Sequence, residues 1–124
     1  MKDEENGDGG VEDLRSRTKN YALRAIRVYS SLSRTTEAQV LGKQYLRSAT
    51  SIGAQYREAH RAKSDADFIS KIEGALQEAD ESHYWLELLS ESGACKPERL
   101  HALMQETDEL IAILVTIVKK AKGL

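Results

Sequence analysis

The stretch SIGAQYREAHRAKSDADFISKIEGALQEADESHYWLELL, residues 51–89, decides the fold. Within it Phe68, Ile72, Ala75, Ala79, Ser82, Leu86 and Leu89 step by four and three, which lays one apolar stripe along a helix. Lys71, Gly74, Glu78, Glu81, Trp85 and Leu88 form a second stripe beside it, because each residue along a helix turns by about 100°. A helix patterned on two faces has two sets of neighbours. Ser64, with Asp67 three residues later, is a capping-box variant that separates this helix from the one before it.

The helical period continues on both sides of that hinge. A first helix is predicted from about Glu12 to Ser33 on Leu14, Tyr21, Ala25, Val28 and Leu32, and Thr35 and Thr36 supply the next N-cap. The second helix runs from about Glu37 to Lys63 on Leu41, Tyr45, Ile52, Tyr56 and Ala59. Ser92, Gly93 and Ala94 end the third, and Pro97 suits the first turn of the fourth. That last helix carries Leu100, Leu103, Thr107, Leu110, Leu114, Ile117 and Ala121 at three-four spacing. Four helices joined by short loops pack as antiparallel neighbours, so the expected fold is all-α: an antiparallel up-down-up-down four-helix bundle over residues 11–124. Residues 1–10, with three glycines and four acids, are expected to be a disordered acidic tail.

A chain of 124 residues is one domain with room for a core that needs neither metal nor disulfide. The single cysteine, Cys95, excludes an internal disulfide framework and suggests a reducing compartment. The acidic, Gly-rich N-terminus is unlike a signal peptide, and the apolar run Leu110–Val115 is far short of the ~20 residues of a membrane span. A soluble, cytoplasmic protein is expected.

Charge is uneven. Residues 14–63 carry eleven Lys and Arg against two acids, a net +9, whereas residues 64–113 carry three bases against twelve acids, a net −9. One reading is that the two hairpins attract each other, within a chain or between subunits of a ring. The other makes Arg15, Arg17, Lys19, Arg24, Arg27 and Arg34 a phosphate-binding face, against which the acidic half and the pI of about 5.9 count.

Antiparallel pairing about the turn near Ser64 matches residues whose numbers sum to roughly 128 or 129. Arg61 then faces Asp67, Glu58 faces Lys71, Ala54 faces Gly74, Ser51 faces Glu78 and Arg47 faces Glu81, with Gln55 alongside. Small residues at Ser48, Ala49, Ser51, Gly53 and Ala54 are expected to let these two backbones approach closely. Such a polar network reads as a register device.

The motif SxGAxYxEA followed by SxxDFIxKxxxALxEAxExxYWLELL resembles the bacterial four-helix-bundle family named after the 23S rRNA intervening-sequence protein. It is carried here by Ser51, Gly53, Ala54, Tyr56, Glu58, Ala59, Ser64, Asp67, Phe68, Ile69, Lys71, Ala75, Leu76, Glu78, Ala79, Glu81, Tyr84, Trp85 and Leu86. The chain departs from the family at Gln55, where members usually have Asn, and at Val11 and Arg17, near which many have an aromatic. The resemblance implies a homopentamer of four-helix bundles without assigned activity. A related branch assists reverse transcriptases and touches nucleic acid through a basic surface.

Enzymatic signals are thin. Glu98 and His101 have the i, i+3 spacing of di-iron bundles, but those need the motif twice, and Asp80 with His83 offers only a shorter carboxylate. His60 and His83 read as surface or boundary groups, and Cys95, just before helix four, reads as a cap. No Gly-rich phosphate loop or Ser-centred elbow occurs. The expectation is therefore a non-enzymatic protein without metal, cofactor or small-molecule substrate, whose partner is a second copy of itself. Trp85 and Leu88 lie off the helix-three core stripe, and Ile113, Val115 and Val118 off that of helix four; these five are the oligomer-interface candidates. The alternative is an accessory factor that binds RNA or a reverse transcriptase through the basic first hairpin.

Overall fold

A computed structural model describes the backbone of residues 5–124, with side chains from Leu14 onward. It holds four helices in sequence: α1 Glu5–Ser31, α2 Thr36–Ala59, α3 Asp65–Glu91 and α4 Pro97–Ala121. Part of the expected acidic tail, residues 1–4, lies outside the described residues. Helix α1 starts at Glu5, ahead of the Glu12 read from the apolar pattern, because that pattern sees only residues that need burying.

The boundaries follow from local chemistry. Thr35 caps α2 by accepting from the Ala38 N–H at 3.3 Å. Ser64 caps α3 by accepting from the Asp67 N–H at 3.0 Å, and the Asp67 carboxylate accepts from the Lys63 N–H at 3.2 Å. Past the end of α3, Gly93 takes φ +81°, a left-handed conformation that a side chain would disfavour. Pro97 opens α4, whose N-cap is Lys96 with no side-chain bond. Cys95 does not cap that helix as the sequence suggested: it is buried, and its N–H donates to the Leu89 carbonyl at 3.0 Å, closing the turn onto α3.

Contacting residues across each helix pair carry numbers of nearly constant sum, the mark of antiparallel neighbours. Arg47 meets Glu81 and Lys71 meets Glu58 across α2–α3; Tyr21 meets Thr107 and Arg17 meets Glu106 across α1–α4. His83 meets Asp108 and Lys122 meets Glu73 across α3–α4. Ile72, Ala75, Ala79, Ser82, Leu86 and Leu89 of the leading stripe are buried, with Phe68 half-buried at its start. They pack with Leu14, Tyr21, Ala25, Tyr45, Ile52 and Tyr56 and with the α4 residues Leu100, Leu103, Leu110 and Leu114 in one core.

Helix α4 departs from its reading at the C-terminal end. Val118, read as an interface residue, is buried in the core; Ile117 is only half-buried and Ala121 exposed. The buried stripe keeps stepping by four through Leu110, Leu114 and Val118, so it rotates by about 40° per step away from the Ile117 side.

Candidate interaction surfaces

Two polar arrangements bind the helices, one buried and one at the surface. In the core, the Tyr45 hydroxyl donates to the Tyr21 hydroxyl at 3.0 Å, and the Thr107 hydroxyl donates to the Leu103 carbonyl at 2.7 Å. A hydroxyl has one proton, so the 2.6 Å Tyr21–Thr107 bond has Tyr21 as donor and the chain runs in one direction from α2 through α1 to α4. Burial disfavours the phenolate and raises the pKa of both tyrosines above the ordinary 10.0. The apolar pattern marked Tyr21, Tyr45 and Thr107 as core positions but had no means of matching their hydroxyls.

The surface network lies along α2–α3. Arg47 reaches Glu81 at 2.9 Å and Glu78 at 3.5 Å, and Lys71 donates to Glu58 at 3.0 Å. That hydrogen bond, then the charge of Glu58, raises the Lys71 pKa. Gln55 lies directly over Gly74, the place read for Ala54. Beneath, the Ser48 and Ser82 hydroxyls are 2.9 Å apart. Three further expectations are corrected. Arg61 is exposed and does not pair with Asp67, whose carboxylate is held in the helix cap. Ser51 turns back to the Arg47 carbonyl at 2.7 Å and leaves Glu78 to Arg47. Gly53 faces Thr18 of α1, with a hypothetical Cβ 3.1 Å from the Thr18 hydroxyl, so it brings α2 toward α1 and not toward α3.

The basic residues divide around α1. Arg17 grips Glu106 through two bonds of 3.0 and 2.7 Å and reaches Glu109 at 2.9 Å, so it belongs to the α1–α4 seam. Arg15, Lys19, Arg27 and Arg34 are exposed and Arg24 half-buried, none with an ion pair among the described residues. Of the apolar candidates, Trp85, Leu88, Ile113 and Val115 are half-buried. The register sets Leu88 level with Val40, which is 55% exposed and which the sequence reading missed, as it missed Leu23 and Ile26. Tyr84, 53% exposed, tilts against Trp85 with ring centroids 5.2 Å apart. The Trp85 indole nitrogen is buried without a hydrogen-bond partner.

The histidines are used locally. His60 stacks edge-on against Tyr56 at 4.7 Å, and the His83 Nε2 lies 3.2 Å from Asp108. Asp80, Glu98 and His101 are exposed. Among the described residues no three His, Cys, Asp or Glu side chains group as metal ligands, and no helix is long and apolar enough to cross a membrane.

The four long helices thus form a bundle with a seam of paired charges along α2–α3. The profile of the 23S rRNA-intervening sequence protein family matches residues 13–116, and the chain belongs to that family. It is similar to the crystal structure of a protein of unknown function from the S23 ribosomal protein family of Bacteroides thetaiotaomicron. The two share 37% identity over 89% of this chain and 98% of that one, with a TM-score of 0.83. None of the curated proteins compared with the chain matches it.

Proposed function

We propose that the protein is a non-enzymatic, cytoplasmic, self-associating bundle that serves as a homo-oligomeric scaffold or interaction module. The observation that carries this reading is the apolar patch at one end of the α2–α3 pair. There the exposed Val40 and Tyr84 and the half-buried Trp85 and Leu88 lie on one end of the two helices, and the Trp85 indole N–H is buried yet unpartnered. A buried donor without an acceptor costs about 1–3 kcal/mol, and a neighbouring subunit laid over the exposed Val40 and Tyr84 would cover the patch and offer an acceptor to the indole if it turned outward. The resemblance to the family implies five copies of the 13.8 kDa chain. Light scattering at micromolar concentration tests this: a stable oligomer is expected, dissociated by Val40→Glu without loss of helical content. A species of 13.8 kDa would overturn the reading.

A second reading, a nucleic-acid-binding accessory role, draws on Arg24, Arg27 and Arg34, cations of the first hairpin without an ion pair among the described residues. The pairing of Arg17 with Glu106 and Glu109 counts against it. Micromolar RNA affinity at about 50 mM salt, falling with a logarithmic slope near −0.7 per phosphate and lost on reversal of Arg24 and Arg27, would establish it.

A further inference from the structure

The α1 side of α2 carries a surface of a different kind. Thr18, Ala22, Thr50, Gly53 and Ala54 floor a shallow groove of about 260 Å³ between α1 and α2, with Lys19 and Arg57 on its rims. Ile26, 43% exposed, and half-buried Leu46 lie one turn further along the same two helix faces and extend the apolar floor. By the same period Arg15 and Lys43 extend the rims. Arg15, Lys19, Lys43 and Arg57 have no ion pair among the described residues, and no acid lies among the residues lining the groove.

We propose that this groove docks an acidic amphipathic helix of a partner protein. Each part of the surface selects that occupant. The groove runs parallel to two antiparallel helices, and from Arg15 to Ile26 it spans about 16 Å, three turns of a third helix laid along it. Its floor is of small residues whose two threonine hydroxyls are turned to backbone carbonyls, so a helix with an apolar stripe can bring its backbone close. Its rims are cationic on both sides, and carboxylates flanking that stripe would meet Lys19 and Arg57.

Other occupants fit less well. A second copy would have to present its own acidic hairpin, and five of its twelve acids already hold cations of their own chain. Glu78 and Glu81 hold Arg47, Glu106 and Glu109 hold Arg17, and Glu73 holds Lys122. Moreover, Tyr84 is the one large apolar side chain that α3 and α4 expose among their described residues, too little to fill the floor. Single-stranded nucleic acid is a poorer match because the floor offers no aromatic ring on which bases could stack. The groove lies across α2 from the Trp85 patch, so the fate of self-association and that of helix docking can be read separately.

The test uses the full-length protein and a fluorescein-labelled synthetic helix with a Leu/Ala stripe flanked by glutamates. Anisotropy should report binding in the micromolar range, and amide signals of Ala22, Thr50, Gly53 and Ala54 should shift in heteronuclear NMR spectra. Ala54→Trp fills the groove from an exposed position and keeps every charge; it should weaken binding about tenfold or more, as should the Lys19→Glu, Arg57→Glu pair. The same peptide with lysines in place of its glutamates should not bind. Four outcomes would overturn the proposal: equal binding by polyglutamate, which would mean counterion attraction only; shifts confined to other helices; indifference to Ala54→Trp; or no binding. Tighter binding of oligouridylate, lost with the same reversals, would give the groove to nucleic acid, and dissociation of an oligomer by Ala54→Trp would give it to a second copy. Either result would also overturn the assignment.

Discussion

The two sides of α2 solve the same packing problem in different ways. Toward α3, four successive levels carry matched groups: Glu58 with Lys71, Gln55 over Gly74, Ser48 with Ser82, and Arg47 with Glu78 and Glu81. Toward α1, closeness comes from glycine, with Gly53 against Thr18 and Gly42 beneath Tyr29 and Leu32. Side chains that pair also cover, so the α3 seam is sealed. Glycines bring backbones together without covering anything, and the α1 seam stays open with its cations unpaired.

Substitution at Gly53 gives the sharpest way to break this contrast. Gly53→Leu should destabilise by about 2–3 kcal/mol in urea titrations, because a Cβ at position 53 already stands 3.1–3.2 Å from the buried, β-branched Thr18 side chain, and the larger side chain must push it aside. A loss below ~0.5 kcal/mol would show that the α1 seam is as adaptable as it is open.

The one buried polar chain on the α1 side gives the next effect. Tyr21 and Tyr45 keep their protons in the fold beyond the pH at which an unfolded tyrosine releases them, since burial raises both pKa values above 10.0. The folded state then binds more protons than the unfolded state, so stability is intact below about pH 10 and falls above it, by about 1.4 kcal/mol per pH unit for each tyrosine. Tyr21→Phe and Tyr45→Phe should flatten that decline. Equal slopes in wild type and variants would remove the tyrosine pair as its source.

A smaller effect belongs to the α1–α4 seam. Arg17 and Glu106 are 25% and 18% exposed, less than typical surface pairs, and their contact is two-pronged. A double-mutant cycle with Arg17→Gln and Glu106→Gln should give a coupling of about 1 kcal/mol, reduced at high salt. No coupling at low salt would mark the pair as incidental. Smallest of all is Gly74→Ala, expected within about 1 kcal/mol of wild type: the gain in helix propensity offsets moving Gln55, whose flexible amide end is what the new methyl meets. A loss matching that of Gly53→Leu would erase the distinction between the seams.

What the sequence disclosed varies with how many signals agreed at a position. On α3 the apolar stripe, the cap at Ser64 and the facing charges all pointed the same way, and the buried set, apart from half-buried Phe68, and two of the three charge pairs emerged as read. Arg61 with Asp67 failed because a side chain near a helix start has a backbone donor competing for it, here Lys63 N–H, and spacing alone does not rank the two. Gly53 and Val118 were misplaced for a rotational reason: one residue is about 100° of helix, and a position on the flank of a stripe can belong to either neighbour. The groove was invisible for a third reason. It arises from the splay of two backbones and from side chains that are too small, and neither is written in a pattern of apolar and polar letters.

The unpartnered indole has one more consequence. Trp85 is the chain's single tryptophan, its nitrogen shielded from water and its ring tilted against Tyr84. Indole emission responds to hydration and to hydrogen bonding, so any event that supplies an acceptor or lays a surface over this corner would change the intrinsic fluorescence. The protein thus carries its own optical gauge of assembly at the place where assembly is proposed, readable without a label or a substitution.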